Sequence, residues 1–257
     1  MFLELDKYNL AIQIWTFIAL LAFISLLFVK APYGRHERAG WGPRIPARLG
    51  WIIMESPSIV VMTVFFGLSA AKWWDTDGVA ITLYILWMAH YLHRGIIWPT
   101  RARISNKMMP LSIVALSIAF NVVNSWLNAE WIYSINHPYP IEWFYSWQFI
   151  LGVLLFITGM VINIKSDDIL FKLRDKGDKE YKTPKGWLYE KVSCPNYLGE
   201  LIEWIGWAIA TWSLAGLSFA IWTAANLIPR AISHHKWYNE NLDDYPQNRK
   251  AIIPFIL

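Results

Sequence analysis

The sequence is short of charge and almost without cysteine. Only 16% of its 257 residues are Asp, Glu, Lys or Arg, against 56% hydrophobic ones. A soluble domain carries about 25% charged residues, so this composition excludes an ordinary water-facing globule. The single cysteine, Cys194, excludes an intrachain disulfide and a cysteine-ligated metal cluster; it reads as a small packed residue. No Gly-x-Gly-x-x-Gly follows a strand pattern, no phosphate loop occurs, and strands do not alternate with helices, which excludes a Rossmann-type nucleotide site. Internal repeats and low-complexity tracts are lacking. So is a cleavable signal pattern, because Met1–Asn9 carries Glu4 and Asp6 and no small-residue cleavage site follows. The net charge of +4 is modest, and nucleic acid is not expected as a partner.

What is present is a series of apolar runs. Leu10–Val29, Leu49–Ala71, Val79–Trp98, Pro110–Leu127 and Trp147–Ile164 are each close to bilayer length. Residues 195–235 have room for two more spans of about 20 residues, with a tight turn at Trp212–Gly216. Charge decides between one span and two there. With seven spans, 21 of the 23 Lys and Arg residues fall on one side, leaving only Lys7 and Lys72 opposite. The positive-inside rule therefore predicts an all-α, polytopic membrane protein of seven transmembrane helices, amino terminus outside and carboxyl terminus cytosolic. Seventeen tryptophans and twelve tyrosines suit interfacial belts and an aromatic-lined pocket.

Polar residues inside apolar runs mark candidate chemistry, because such groups are costly at membrane depth unless they meet partners or line a cavity. Asn163, Asp167 and Arg174 lie near one face of a helix as it leaves the membrane, and Glu200 and Glu203 share a face of the next. The stretch Gly159–Trp204 thus reads as the wall of a polar ligand site. Arg230, His234 and Tyr238 recur at i, i+4 and i+8, either a solvated face or a stripe that helps hold a phosphorylated ligand. Glu55 sits among Trp51, Ile52, Ile53 and Met54. Apolar surroundings raise a carboxyl pKa, so Glu55 can stay protonated and donate a hydrogen bond. Tyr91 offers a second uncharged donor. Two donors converging on one carbonyl oxygen would stabilise an enolate; the alternative for Glu55 is helix packing. His90 and His93 lack a carboxylate or cysteine at ligand spacing, so no metal is expected, and Arg94 reads as a snorkelling side chain.

These residues carry a resemblance that runs nearly end to end. Tyr33-Gly34-Arg35-His36, Glu55-Ser56-Pro57-Ser58, His90-Tyr91-Leu92-His93-Arg94, Gly159–Arg174, Asn196–Trp204, Ala210–Leu214, His234-His235, Asp244-Tyr245-Pro246 and Arg249–Phe255 together resemble the steroid 5α-reductase family. A bacterial member similar to the human type 2 enzyme is the form implied. The resemblance implies one membrane-embedded reductase domain over residues 1–257, with residues 1–127 carrying the substrate and catalytic pair and 147–257 the NADPH-binding half. It implies hydride transfer from NADPH to C5 of a 3-oxo-Δ4 steroid. Glu55 and Tyr91 fall on the family's catalytic pair. Asn163, Asp167, Arg174, Tyr181, Asn196, Glu200, Arg230, His234 and Tyr238 fall on cofactor-contact positions. Trp51, Phe120, Trp204 and Trp222 fall where the family lines its steroid pocket. Two positions depart: Met54 stands where the family often has Gln, and residues 110–127 lack an Arg that the human enzyme carries there.

The partners implied are a steroid or steroid-like enone and membrane lipid, for a monomer in a bacterial inner membrane whose cofactor site faces the cytosol. Three alternatives stand beside this reading. They are a reductase of another conjugated lipid (an enoyl thioester or polyprenol type), a membrane lipid methyltransferase, and a seven-helix receptor or transporter. Neither inverted halves nor paired broken helices support the last.

Overall fold

A computed structural model describes residues 4–29, 40–72, 77–104, 107–173 and 181–257. Among these, seven long helices account for most of the chain: α1 (Leu5–Phe28), α2 (Ala47–Lys72), α3 (Gly78–Leu92), α5 (Leu111–Glu130), α6 (Trp147–Lys172), α7 (Pro195–Thr211) and α8 (Leu214–Asn241). A one-turn helix, α4 (Trp98–Arg101), continues α3 through a π-helical turn at His93–Ile97. Four stretches are long and apolar enough to cross a membrane: Leu5–Phe28, Ala47–Ser69, Leu111–Ile135 and Trp147–Lys172. The protein is thus an integral membrane protein, and side chains such as Leu10, Phe17, Leu21 and Ile24 on α1 are exposed as lipid-facing residues would be.

Several boundaries differ from the sequence expectation. α1 begins five residues earlier than the charge-free run, at Leu5, because an acidic residue, Asp6, suits the positive end of a helix. α6 runs to Lys172, eight residues past the apolar stretch: helical hydrogen bonding does not stop where hydrophobicity does. The chain is mostly helical, as expected, with one short pair of strands among the described residues. Strands β1 (Arg44–Pro46) and β2 (Met108–Pro110) pair antiparallel, with Ile45 opposite Met109. Proline fixes φ and disfavours helix at the residue before it, so these proline-bearing segments stay extended. The turn between α7 and α8 falls where expected. Trp212 takes a positive φ of 47°, and Ser213 Oγ accepts the Gly216 amide at 2.9 Å to cap α8.

The chain divides into two compact units. The first comprises residues 1–14, 32–150 and 211–216. In it β1 and β2 clip the starts of α2 and α5 together: the Ala47 amide donates to the Lys107 carbonyl and the Leu111 amide to the Pro43 carbonyl, each at 2.8 Å. α2 and α5 therefore run parallel from a common origin, sealed by Ala47, Met54, Met109 and Val114. α3 is started by Asp77, whose carboxylate accepts the Val79 and Ala80 amides, and is tied to α2 by Trp87 Nε1 donating to the Ser58 carbonyl at 3.0 Å.

The second unit comprises residues 15–31, 151–210 and 217–257. Its frame is an antiparallel contact of α6 and α7 through glycines seven residues apart on each helix. A Cβ on Gly159 would lie 2.3 Å from the Glu203 amide nitrogen and 2.4 Å from the Gly199 carbonyl oxygen. One on Gly206 would lie 2.4 Å from the Phe156 nitrogen. Only hydrogen fits at these positions, and the two backbones touch. The tail returns beside the start of α7: the Ser193 amide donates to the Lys250 carbonyl and the Cys194 amide to the Ala251 carbonyl. Cys194 is buried with Leu201, Ala231, Ala251 and Ile252, as a packed thiol should be.

Gly159→Ala is expected to destabilise the protein by about 1–3 kcal/mol, since the new methyl meets backbone that cannot give way. Gly67→Ala, in α2 with nothing within 4 Å of the new Cβ, should instead be neutral or stabilising by up to about 1 kcal/mol. Thermal unfolding of the detergent-solubilised variants separates the two outcomes.

Candidate functional site

In the first unit Glu55 lies between α5 and the turn that follows α3. Pro57, inside α2, has no N–H to give the Ile53 carbonyl. The Ser56 hydroxyl takes that carbonyl instead, at 2.9 Å, which accounts for the Ser-Pro that follows Glu55. On the neighbouring helix, Asn121 Nδ2 donates to the Met54 carbonyl at 2.6 Å and lies 3.4 Å from Glu55 Oε2. The other flank of Glu55 is the π-helical turn after Tyr91: a Cβ on Gly95 would stand 3.1 Å from Glu55 Cβ. π-turns within α-helices are frequent at functional sites, and this one starts two residues after Tyr91. Tyr91 is buried at 3% exposure, its ring 4.9 Å from Trp87 and edge-on to His90 at 4.9 Å.

Arg94 does not simply reach for solvent. Its guanidinium lies 4.8 Å from the Trp51 ring and 4.9 Å from the Trp98 ring, and the two indoles are 4.8 Å apart. Cation–π contacts of this kind hold the cation against aromatic surface and fix Trp51 one helical turn before Glu55. Phe120 stands on α5 next to Asn121. Asn121 itself was not singled out from the sequence. The signal was there: Asn121, Asn124, Ser125 and Asn128 recur at helical spacing in an apolar run and are all buried.

The second unit collects the other polar candidates. The glycine contact brings α6 and α7 close enough for Asn163 Nδ2 to donate to the Asn196 carbonyl at 3.0 Å and Asn196 Nδ2 to Asp167 Oδ1 at 3.1 Å. Asn163 and Asp167 are buried, at 6% and 3% exposure. One turn on from Asn196, Glu200 holds a buried Oε2 with no hydrogen-bond partner among the described residues. Such an acceptor suits a hydroxyl or amide of a bound ligand. α8 joins through Tyr197 OH, 3.3 Å from His234 Nε2, and Arg230 is steered by Asn226 Oδ1 at 3.2 Å. Tyr238 stacks on Tyr245 with ring centres 5.2 Å apart, while Tyr181 meets Trp237 edge-on at 4.8 Å. Arg174 lies outside the described residues. Trp204 packs in the core among Phe156, Trp207 and Phe219 at 1% exposure. Trp222 Nε1 donates to the Trp15 carbonyl at 3.0 Å. Asparagines, carboxylates and a guanidinium on three adjoining helices are the donor and acceptor set that ribose hydroxyls, a carboxamide and phosphates require.

The sequence profile of the family described as "3-oxo-5-alpha-steroid 4-dehydrogenase" matches residues 107–257. The chain is 42% identical over 243 residues to "Steroid 5-alpha-reductase DET2" of Gossypium hirsutum, covering 93% of each chain. It is 37% identical over 255 residues to "3-oxo-5-alpha-steroid 4-dehydrogenase 1" of Rattus norvegicus, covering 99% of this chain and 97% of the relative. To the Homo sapiens protein of the same name it is 39% identical over 224 residues, covering 87% and 85%. The profile begins after Glu55 and Tyr91, but the relatives match over most of their length. They bear out the expected family and not the narrower likeness to a type 2 enzyme.

The segment that carries Tyr181 is held by charge. The Thr183 hydroxyl donates to Asp244 Oδ1, and Lys185 Nζ lies 3.1 Å from Asp244 Oδ2. The Thr183 bond, then Lys185, hold the Asp244 carboxyl below its usual range. A carboxylate with a depressed folded pKa contributes its stability above the unfolded value of about 4 and loses it as pH falls through the folded value. Proteolysis between Tyr181 and Gly186 should therefore be slow at neutral pH and rise below about pH 4. Asp244→Asn should make the segment cleavable at neutral pH.

Proposed function

The chain belongs to the 3-oxo-5-alpha-steroid 4-dehydrogenase family, and from that membership we propose that it reduces the C4–C5 double bond of a 3-oxo-Δ4 steroid at the expense of NADPH. The observation that carries the reading is the setting of Glu55: a carboxyl in an apolar helix, tethered by Asn121 and backed by the π-turn that follows Tyr91. Glu55, kept neutral by its surroundings, and the Tyr91 phenol both donate to the C3 oxygen of the enone. When a hydride adds to C5, the C4–C5 π electrons move toward that oxygen as an enolate. Donors placed there act more strongly on the transition state than on the ground state. C4 then takes a proton from water to give the saturated ketone. Trp51, one turn before Glu55 on α2, and Phe120, next to Asn121 on α5, offer apolar surface to the steroid rings, and Trp204 and Trp222 are proposed for the same role.

Bound to the second unit, the reduced nicotinamide supplies the hydride. Asn163, Asp167, Asn196 and the unpartnered Glu200 oxygen satisfy its hydroxyl and amide groups. Arg230 and His234 meet phosphate, and Tyr181 and Tyr238 offer aromatic faces. All seven long helices cross the membrane as a monomer, with the basic loops, the carboxyl terminus and the cofactor site on the cytosolic side. The distribution of 21 of 23 Lys and Arg residues supports that orientation.

Purified protein in detergent, given NADPH and a 3-oxo-Δ4 steroid, is expected to form the 5α-reduced ketone, detected by mass spectrometry. Glu55→Gln and Tyr91→Phe should each lower kcat about 10²–10³-fold, the usual effect of deleting one oxyanion donor, while still binding NADPH. Full turnover in either variant refutes the catalytic assignment. Arg230→Ala should weaken NADPH binding with little change in steroid affinity; unchanged cofactor binding removes Arg230 from that role.

A further inference from the structure

We infer that Asn121 is a positioning residue that fixes which oxygen of Glu55 carries the acid proton toward the substrate. The inference rests on the proposed role of Glu55 as a neutral donor. Its physical basis is the contact pattern of one nitrogen. Asn121 Nδ2 lies 2.6 Å from the Met54 carbonyl oxygen. A carbonyl only accepts, so the atom facing it must be the amide nitrogen and the Asn121 side chain cannot be reversed. The same nitrogen carries a second N–H, and Glu55 Oε2 stands 3.4 Å away. The amide thus spans the backbone of one residue and the carboxyl of the next.

Both ends of this bridge are rigidly placed. Asn121 is buried at 3% exposure on a helix whose origin is clipped to that of α2 by β1 and β2. On the α2 side, Pro57 and Ser56 shape the turn that holds Met54 and Glu55, and the backbone of Gly95 packs so near that a Cβ there would stand 3.1 Å from Glu55 Cβ. A carboxyl oxygen that accepts an N–H is the unprotonated one. Donation to Oε2 therefore assigns the proton to Oε1, the oxygen turned away from Asn121. Without it, Oε2 loses the N–H that keeps it unprotonated, and the proton can sit on either oxygen. The 3.4 Å separation is long, as catalytic hydrogen bonds often are before substrate draws them tight.

The test uses the full chain in detergent with NADPH and a 3-oxo-Δ4 steroid. Asn121→Leu keeps the branched shape and the number of heavy atoms and removes both N–H groups. It is expected to lower kcat at least about tenfold while NADPH affinity and steroid KM stay within roughly twofold. A double-mutant cycle distinguishes positioning from general packing: on a Glu55→Gln background the same substitution should change the residual rate less than about threefold, because residues that act as one unit are not additive. Asn121→Asp, the same size, covers the case in which Asn121→Leu does not fold. A neutral carboxyl has one O–H where the amide has two N–H groups, so an Asp that satisfies the Met54 carbonyl has no donor left for Glu55, and kcat should again fall at least about tenfold. Parental turnover in Asn121→Leu or in Asn121→Asp, or an equal loss in both backgrounds, overturns the inference. Full turnover in Glu55→Gln alone strikes instead at the proposed function.

Discussion

A polar side chain on a helix whose outer face is Leu, Ile and Phe has to find its partner within the protein, since hydrocarbon offers none. That constraint organises both units. In the first it explains why Glu55 is not isolated. Pro57, two residues after Glu55, withholds one N–H from the ladder of α2, and the Ile53 carbonyl it leaves is met from close by. The Ser56 hydroxyl takes the Ile53 carbonyl, and Asn121 takes the Met54 carbonyl and reaches the carboxyl. The break in the helix and the acid belong to one local arrangement.

In the second unit the same demand is met through glycine. Asn163 and Asp167 on α6 can reach Asn196 on α7 because Gly152, Gly159, Gly199 and Gly206 let the two backbones touch. Membrane helices associate readily through small residues spaced along one face. Here the close approach also sets the distance at which Asn163 reaches the Asn196 backbone carbonyl and the Asn196 side chain reaches Asp167. Glu200, one turn further, has a buried Oε2 without a hydrogen-bond partner among the described residues.

Aromatic residues do a third kind of work. Arg94 lies against both Trp51 and Trp98, which holds a cation and two indoles in one stack. Tyr238, Tyr245, Ser193 and His235 form a buried knot at the end of α8. The Ser193 hydroxyl lies 2.6 Å from His235 Nδ1 and 2.5 Å from the Tyr245 hydroxyl, and Arg249 donates to the Pro184 carbonyl at 2.8 Å. The tail motif that helped identify the family is thus a clasp, fastening the segment before α7 to the segment after α8.

The sequence alone located the apolar helices, though α1 starts five residues before and α6 ends eight residues after its apolar run, and it showed that Trp212–Gly216 is a break and that Glu55, Asn163, Asp167 and Glu200 stand out of place in apolar runs. Those properties follow from local periodicity and from the cost of burying charge, so they are written in consecutive residues. It missed the β1–β2 pair, because three-residue strands carry no period of their own. It also passed over Asn121, whose importance depends on a neighbour 66 positions away in the chain. Tertiary structure decided the partners: which glycine meets which backbone, which amide meets Glu55, and that Trp204 faces Phe156, Trp207 and Phe219. Helical periodicity says which residues share a face of one helix, but only the packing of helix against helix says what that face meets.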